Sequence, residues 1–248
     1  MSPREAAASA KGSVLIVSAF APELAPLVAW LRGRRAKASG VRCASVGIGL
    51  VDAAAGAAAA IARVGPRAVL FVGTAGSYGA RPTIGQVAVA RRIHLASTAV
   101  VRGQGYLPAP MQRTVLADGP LRRALLRAGP PSAATADVAT PLAITSARRL
   151  GSALAAAHSA TVENLEAFAV ARAAERAGLP FAAVLGIANR VGPEAHREWV
   201  RHQVRATEAA CAVVAAWLEG LSTRGGSPGG GVVVRAPSRG RPSRPRRA

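Results

Sequence analysis

The chain has 248 residues, half of them hydrophobic, so it is long enough to bury one core of ordinary domain size. Lys and Arg number 32 against 12 Asp and Glu, and the resulting net charge of +20 raises the question of a polyanionic partner such as nucleic acid. Every apolar run is shorter than the roughly 18 to 20 residues that a membrane-spanning helix needs. We therefore expect no insertion into a membrane.

The positive charge is uneven along the chain. Seven arginines lie in the last 25 residues, where no Asp or Glu occurs. Residues 222–248 are rich in Gly, Ser, Pro and Arg and cannot bury enough apolar surface to fold, so we expect a disordered tail, as we do for residues 1–12. The tail predicts at most a weak contact with a polyanion, and residues 13–221 form the expected folded domain.

Cysteine and histidine give no sign of a metal or a disulfide framework. Cys43 and Cys211 are far apart, and the four histidines lack ligand spacing. This usage predicts no metal or other cofactor and fits a reducing cytoplasm. A secretory leader is the alternative, because Arg4 and Lys11 precede a short apolar run. Glu5 weakens that alternative, and the same run makes a good first strand.

From residue 13 the chain alternates short β-branched runs with Ala-rich runs of helical period, which predicts an α/β fold with three α/β/α layers in one domain. Strands are predicted near residues 14–19, 42–47, 68–72, 85–94, 139–145 and 181–187. Helices are predicted near residues 22–32, 50–64, 121–128, 147–157, 162–177 and 194–221, and Trp199 in the last one is interpreted as a packing aromatic. Residues 97–117, rich in Gly, Pro and Gln, predict a long loop of the active-site type.

Two carboxylates are candidates for a binding or catalytic site. In the predicted helix 162–177, Glu166 shares a face with Val162 and Ala169, and an acid there is costly unless a hydroxyl, cation or ligand satisfies it. Glu23 follows the first strand and opens a helix, where the helix dipole favours a carboxylate. Ligands of open α/β sheets also bind at this end of a strand. The pattern leaves both explanations of Glu23 open.

Two glycine turns and one asparagine also follow predicted strands. Gly47-Ile48-Gly49 and Gly73-Thr74-Ala75-Gly76-Ser77 either let a ligand approach the backbone or serve packing alone. The hydroxyls and amides of the second turn suit a ribose or a base edge. Asn189 ends the last strand and is either a turn residue or part of a site.

Five segments in this order resemble the nucleoside phosphorylase and nucleosidase superfamily, particularly methylthioadenosine/adenosylhomocysteine nucleosidases and futalosine hydrolases. The similarity covers residues 13–221 and implies a central mixed sheet. The segments are Ser18-Ala19-Phe20-Ala21-Pro22-Glu23, Val46-Gly47-Ile48-Gly49, Val72-Gly73-Thr74-Ala75-Gly76, Val162-Glu163-Asn164-Leu165-Glu166 and Gly186-Ile187-Ala188-Asn189-Arg190-Val191-Gly192.

The resemblance implies an enzyme that hydrolyses the N-glycosidic bond of a purine nucleoside. Glu23 matches the carboxylate that activates water against the anomeric carbon, and Glu166 matches the acid that binds the ribose hydroxyls. Phe20 and Leu165 match the apolar walls around the sugar. Relatives are commonly homodimers. Phosphorylases of the superfamily carry a Gly-Asp-Pro-x-Arg-type phosphate loop, whereas residues 19–23 offer no cation, which favours water over phosphate.

Asn189 stands where adenine-releasing nucleosidases have an aspartate. An amide cannot give up a proton but can donate two hydrogen bonds, which suits nitrogen 7 and the 6-oxo group of hypoxanthine. The sequence therefore looks most like futalosine hydrolase, which releases hypoxanthine in a menaquinone pathway.

Three departures from the family pattern leave other functions open. Leu185 replaces a common arginine, Ala167-Phe168 replaces a Gly-Ala pair, and Leu165 replaces methionine. The alternatives are an adenine-releasing methylthioadenosine/adenosylhomocysteine nucleosidase and a non-catalytic protein, which would bind a nucleoside or hold nucleic acid through its tail.

Overall fold

A computed structural model describes residues 12–34 and 40–224. The two segments expected to be disordered fall almost wholly outside these residues, so the expectation stays a prediction. Within the described ranges the last helix continues to Arg224, three residues past the predicted end of the domain.

Eight strands lie in the described part of the chain. They are β1 (Val14–Ser18), β2 (Val41–Ser45), β3 (Ala68–Ser77), β4 (Val87–Leu95), β5 (Thr114–Leu116), β6 (Ala134–Thr140), β7 (Val162–Glu163) and β8 (Phe181–Arg190). Seven α-helices accompany them: α1 (Ala25–Arg32), α2 (Gly49–Val64), α3 (Thr98–Val101), α4 (Gly119–Ala128), α5 (Arg148–His158), α6 (Ala167–Arg176) and α7 (Ala195–Arg224). A 3-10 turn, Ala21–Glu23, joins β1 to α1.

The strands form one mixed sheet, part of which closes into a ring. β2, β1, β3 and β8 are parallel neighbours. β8 then pairs antiparallel with β4, β4 pairs with β6, β6 pairs with β7, and β7 returns antiparallel to β3. Because β1, β3 and β8 run the same way, the chain segments that follow them meet at one edge of the sheet.

Both faces of the sheet are buried, as the apolar composition of its strands requires. Leu15 and Val17 of β1 point into a core beneath α2 and α6. Val14 and Ile16 alternate onto the other face, where α1, α4 and α7 supply Leu27, Leu125, Val214 and others. The expected α/β/α fold with a central mixed sheet is confirmed.

Four local predictions are wrong. Residues 73–77, predicted as a glycine turn, are the last part of strand β3 and pair with β8. Residues 162–165 are not helical: Val162 and Glu163 form β7 between β3 and β6, and α6 starts only at Ala167. The strand predicted at 139–145 lies earlier in the chain, at Ala134–Thr140 (β6). It ends before Pro141, which lacks the N–H group that pairing in a sheet needs. The predicted loop 97–117 contains α3 and β5, the latter stabilised by antiparallel pairing with β4.

No helix within the described ranges is long and apolar enough to cross a membrane.

Candidate functional site

Glu23 is a buried carboxyl group with one satisfied and one free oxygen. Its Oε1 accepts hydrogen bonds from the backbone N of Thr74 at 2.9 Å and from the Thr74 hydroxyl at 3.0 Å. Oε2 is buried and accepts no hydrogen bond from the described residues. Burial outweighs these bonds and, with the nearby charge of Glu166, raises the pKa of Glu23 to about 7.

The short turn after β1 fixes this carboxyl group. Pro22 favours the turn because its ring presets the backbone angle, and the N–H of Glu23 donates to the carbonyl of Phe20. The fully buried Ser18 donates its hydroxyl to the same carbonyl, at 2.8 Å. Glu23 is itself only 4% exposed, so its placement is a packed feature rather than a solvated helix end.

Glu166 is the residue that immediately precedes α6, not a member of a helical stripe. Its Oε1 accepts from the backbone N of Gly49, the first residue of α2, at 2.9 Å. Its Oε2 accepts from the side-chain amide of Asn164 at 3.1 Å. The predicted position of Glu166 on an apolar helix face is therefore wrong, although its carboxyl group is buried and has a raised pKa, chiefly because of desolvation.

Asn164 connects the two halves of the site. Its Nδ2 donates to the carbonyl of Thr74 at 3.0 Å as well as to Glu166. Its Oδ1 accepts from the N–H groups of Glu166 and Ala167, which caps the start of α6. All its polar atoms are thus engaged, and its side chain holds β3 and the Glu166 segment together.

The first glycine turn, residues 47–49, places the backbone N–H of Gly49 within hydrogen-bonding distance of the Glu166 carboxyl group. Gly47 and Gly49 have φ angles of +105° and +81°, in the left-handed region that favours glycine. A Cβ on Gly47 would lie 2.5 Å from that of Asp52, so the turn is tight as well as left-handed. The turn leaves the N-terminal end of α2, where N–H groups are unpaired, facing an anion.

Asn189 lies near the end of β8, directly beside Gly76 of β3. A Cβ on Gly76 would stand 2.8 Å from Asn189 Nδ2, so the glycine permits this close approach. Asn189 is buried, and its Nδ2 donates to the carbonyl of Arg190 at 3.0 Å. A cavity of about 280 Å³ adjoins this end of the sheet, with Ser77, Arg190 and other residues in its wall.

The remaining predicted residues are placed as follows. Phe20 is half-buried, and its ring centroid lies 6.5 Å from that of Trp199. Leu165 is half-buried between Asn164 and Glu166, and Ala75 is buried on β3. Leu185, at the position where relatives were expected to carry an arginine, is fully buried in the apolar core.

Two contributors were missed from the sequence. Trp199 is not only a packing aromatic: it contacts Phe20, and its Nε1–H donates to the Thr74 hydroxyl at 3.1 Å. Asn164 lies within one of the five family segments, but the sequence pattern assigned it no function. An Asx residue two positions before an acid and three before a helix is a recognisable capping signal, and it would have identified Asn164. No comparable signal existed for Trp199.

A sequence model described as the phosphorylase superfamily matches residues 31–219. No curated protein sequence gives a significant match.

Solved structures give the same fold at low identity. A methylthioadenosine/S-adenosylhomocysteine nucleosidase from Helicobacter pylori is 15% identical with a TM-score of 0.75, covering 85% of this chain and 99% of that one. A futalosine hydrolase from the same organism is 15% identical with a TM-score of 0.74, covering 85% and 98%. The nucleosidase of S. pneumoniae is 19% identical with a TM-score of 0.73, covering 84% and 99%. Since the family model spans about three quarters of the sequence, the chain belongs to the phosphorylase superfamily.

Proposed function

We propose that the protein is a purine nucleoside N-ribohydrolase, most similar in activity to futalosine hydrolase. The observation that carries the proposal is Glu23, a buried carboxyl group with a pKa of about 7 and one oxygen free to take a proton. A general base works best when its pKa lies near the working pH. The second carboxyl group, Glu166, lies close enough to act on it electrostatically.

The proposed reaction gives each residue one task. Glu23 Oε2 accepts a proton from water while the water oxygen bonds to the anomeric carbon and the bond from that carbon to the purine breaks. The electron pair of that bond leaves with the purine, which then takes a proton from solvent. Glu166 accepts hydrogen bonds from ribose hydroxyls through the lone pairs that Gly49 and Asn164 leave unused. Phe20 and Leu165 contact the sugar, and Thr74, Ala75 and Gly76 line the floor beneath it. These contacts hold the ribose near its oxocarbenium-like transition state.

Water, rather than phosphate, is the proposed nucleophile. The hydrogen bonds to the side chains of Glu23 and Glu166 come from Gly49, Thr74 and Asn164, and none of these donors is charged. Two buried carboxylates with no cation among their donors in the described part of the chain are a poor environment for a phosphate dianion. This arrangement supports hydrolysis.

Hypoxanthine is the proposed leaving base. Asn189 uses one amide hydrogen on the carbonyl of Arg190 and keeps the other for a purine acceptor, either nitrogen 7 or the 6-oxo group. Release of hypoxanthine from futalosine would place the enzyme in a menaquinone pathway. The second candidate, release of adenine from methylthioadenosine or adenosylhomocysteine, is favoured by the similarity to nucleosidases of that class.

We further propose a cytoplasmic homodimer. Cys43 and Cys211 are both free, which fits a reducing compartment. Ile48 and Val51 at the start of α2 are 63% and 75% exposed, and an apolar groove of about 340 Å³ runs between α2 and α6. Such a surface suits a second copy of the chain. Sedimentation of the wild type and of a Val51→Lys variant tests this, since only the variant should be monomeric.

The test of the function is a substrate panel. The purified chain is incubated with futalosine, inosine, methylthioadenosine and adenosylhomocysteine, each with and without phosphate, and the free base is identified by chromatography. We expect hypoxanthine from futalosine at a rate that phosphate does not change. Adenine alone would establish the second candidate, phosphate-dependent release would contradict hydrolysis, and no release from any substrate would favour a non-catalytic nucleoside-binding protein.

The Arg-rich tail is proposed to make only a weak polyanion contact. Binding of DNA and RNA by the full chain should exceed that of a chain ending at Leu221 and should weaken with salt. Equal binding by both chains would make the tail a solvated appendage.

A further inference from the structure

Trp199 reaches the candidate site from the first turns of α7. Its indole contacts the ring of Phe20, and its Nε1 lies 3.1 Å from the hydroxyl oxygen of Thr74. The same helix makes a second contact with the turn that carries Glu23, because the thiol of Cys211 donates to the Glu23 backbone carbonyl at 3.3 Å. The position of Trp199 over Thr74 is therefore anchored at two points.

The chemistry of the indole group decides where the Thr74 proton lies. An indole N–H can only donate, so the Thr74 oxygen must accept from it. The single hydroxyl hydrogen is then left for another acceptor, and Glu23 Oε1 lies 3.0 Å away. Without Trp199 the hydroxyl could rotate and donate elsewhere.

A directed hydroxyl makes the two oxygens of Glu23 different. Oε1 receives the hydroxyl hydrogen and the Thr74 backbone N–H, while Oε2 receives none from the described residues. A proton added to the carboxylate goes to the oxygen that is not already holding two donors. The direction of the Thr74 hydroxyl thus selects the oxygen that acts as a base.

We propose that Trp199 is a positioning residue: its indole N–H holds the Thr74 hydroxyl proton on Glu23 Oε1, which leaves Oε2 to take the proton from the attacking water. The part that concerns water rests on the proposed hydrolase function. The part that concerns the three linked residues does not, and it can be measured without a substrate.

Other groups near Glu23 must be separated from this effect. Glu166, which lies at the β7–α6 junction, raises the pKa of Glu23. Cys211 on α7 stays neutral because burial raises the pKa of its thiol to about 11. His196 stacks on Trp199 with ring centroids 6.3 Å apart, so the indole resonance also senses this neighbouring ring. A His196→Gln variant serves as the matched control.

The first experiment follows indole N–H resonances by NMR between pH 5.5 and 8.5, without substrate. Only three tryptophans occur, and Trp199→Phe assigns the relevant signal. We expect the Trp199 resonance to shift with a midpoint near 7, to lose this midpoint in Glu23→Gln, and to keep it in His196→Gln. A resonance that ignores Glu23, or follows His196 instead, would overturn the link.

The second experiment measures the Glu23 midpoint itself, from carbon-13 carboxyl shifts. Trp199→Phe keeps a ring against Phe20 but removes the donor, and Thr74→Val removes the hydroxyl. Each should raise the midpoint by about half a unit to one unit, because a hydrogen bond to the charged form is weakened or lost. The double variant should raise it no further than Thr74→Val alone.

An unchanged midpoint in Trp199→Phe would reduce Trp199 to packing. In an active enzyme the same variant should lose more kcat/KM at pH 6 than at pH 8.5, whereas a packing defect would lower both equally. If the chain hydrolyses no substrate but the NMR midpoints behave as expected, the proposed function fails and the positioning by Trp199 stands.

Discussion

Glu23 and Glu166 are linked through the backbone of one residue, Thr74, Glu23 directly and Glu166 by way of Asn164. The N–H of Thr74 binds Glu23 directly, and its carbonyl accepts from the Asn164 amide that also binds Glu166. Thr74 of β3 and the side chain of Asn164 thus help to fix the two carboxyl groups relative to one another. A base and a ribose-binding acid need such a fixed separation, because the sugar must meet both at once.

Replacing Glu23 should remove the base while leaving the fold intact. In Glu23→Gln we expect kcat for base release at pH 8 to fall about 10³-fold, since an amide cannot accept a proton. Chromatography of the released base measures the loss, and circular dichroism checks the fold. Glu175→Gln is the matched control, because Glu175 pairs with Arg172 on the surface of α6. Retained activity in Glu23→Gln would remove Glu23 from the mechanism.

The rate should depend on pH through Glu23. Its pKa of about 7 means that the ionised base is lost as the pH falls, so kcat/KM at pH 6 should be about one tenth of its plateau above pH 8. Initial rates across pH 5 to 9 in buffers of constant ionic strength measure this limb. A limb near pH 4.5, the ordinary value for glutamate, would contradict the burial argument.

Folding stability should change over the same pH range. Because the pKa of Glu23 is raised from 4.5 to about 7 on folding, the contribution of Glu23 to stability is full below pH 4.5 and is lost as the pH rises through 7. The loss amounts to about 3 kcal/mol by pH 8, taking 1.36 kcal/mol per unit. In urea unfolding, the free energy of unfolding of Glu23→Gln should increase relative to that of the wild type as the pH rises from 5 to 8. A constant difference between them would refute this linkage.

Asn164 offers a test that separates capping from positioning. Asn164→Ala leaves several buried N–H and carbonyl groups without partners and should cost about 2 to 4 kcal/mol of unfolding free energy. Asn164→Asp keeps the oxygen that caps α6 but loses the donors to Thr74 and Glu166. It should fold better than the alanine variant and still show a raised KM. Equal KM in the wild type and Asn164→Asp would limit Asn164 to capping.

Base selectivity should follow the residue at position 189. Asn189→Asp supplies a group that can protonate nitrogen 7, so adenine release from methylthioadenosine should rise while hypoxanthine release falls, by about tenfold each. The ratio of the two kcat/KM values is the measurement. An unchanged ratio would mean that Asn189 does not face the six-position of the purine.

The sequence predicted the layers of the fold, and it proposed the candidate site residues, from local features. Strand and helix periods indicated the fold, and they also placed residues 18–23 and 73–76 at the carboxyl ends of β1 and β3. The burial of Glu23 and its pairing with Thr74 depend on two strands that meet only in the folded chain. Such a pKa could not be read from composition.

The errors also have a common physical cause. Val162 and Glu163 have helical neighbours in sequence, but their backbone groups find partners on β3 and β6, and this pairing overrides the local preference. From sequence alone, Trp199 cannot be distinguished from an aromatic residue that only packs its helix against the core. The hydrogen bond from its indole N–H goes to Thr74, 125 residues earlier in the chain, and only the folded structure reveals it.

The closed ring of β3, β8, β4, β6 and β7 limits which substitutions these strands can accept. A register slip in any one of these strands would have to be matched by the four others, so the spacing between Thr74 and Asn189 resists substitution. Residues 141–147 and 102–113 lie outside the ladder and carry no such constraint. Laboratory evolution toward new nucleosides should therefore accumulate its substitutions in those two segments and leave the ring almost untouched.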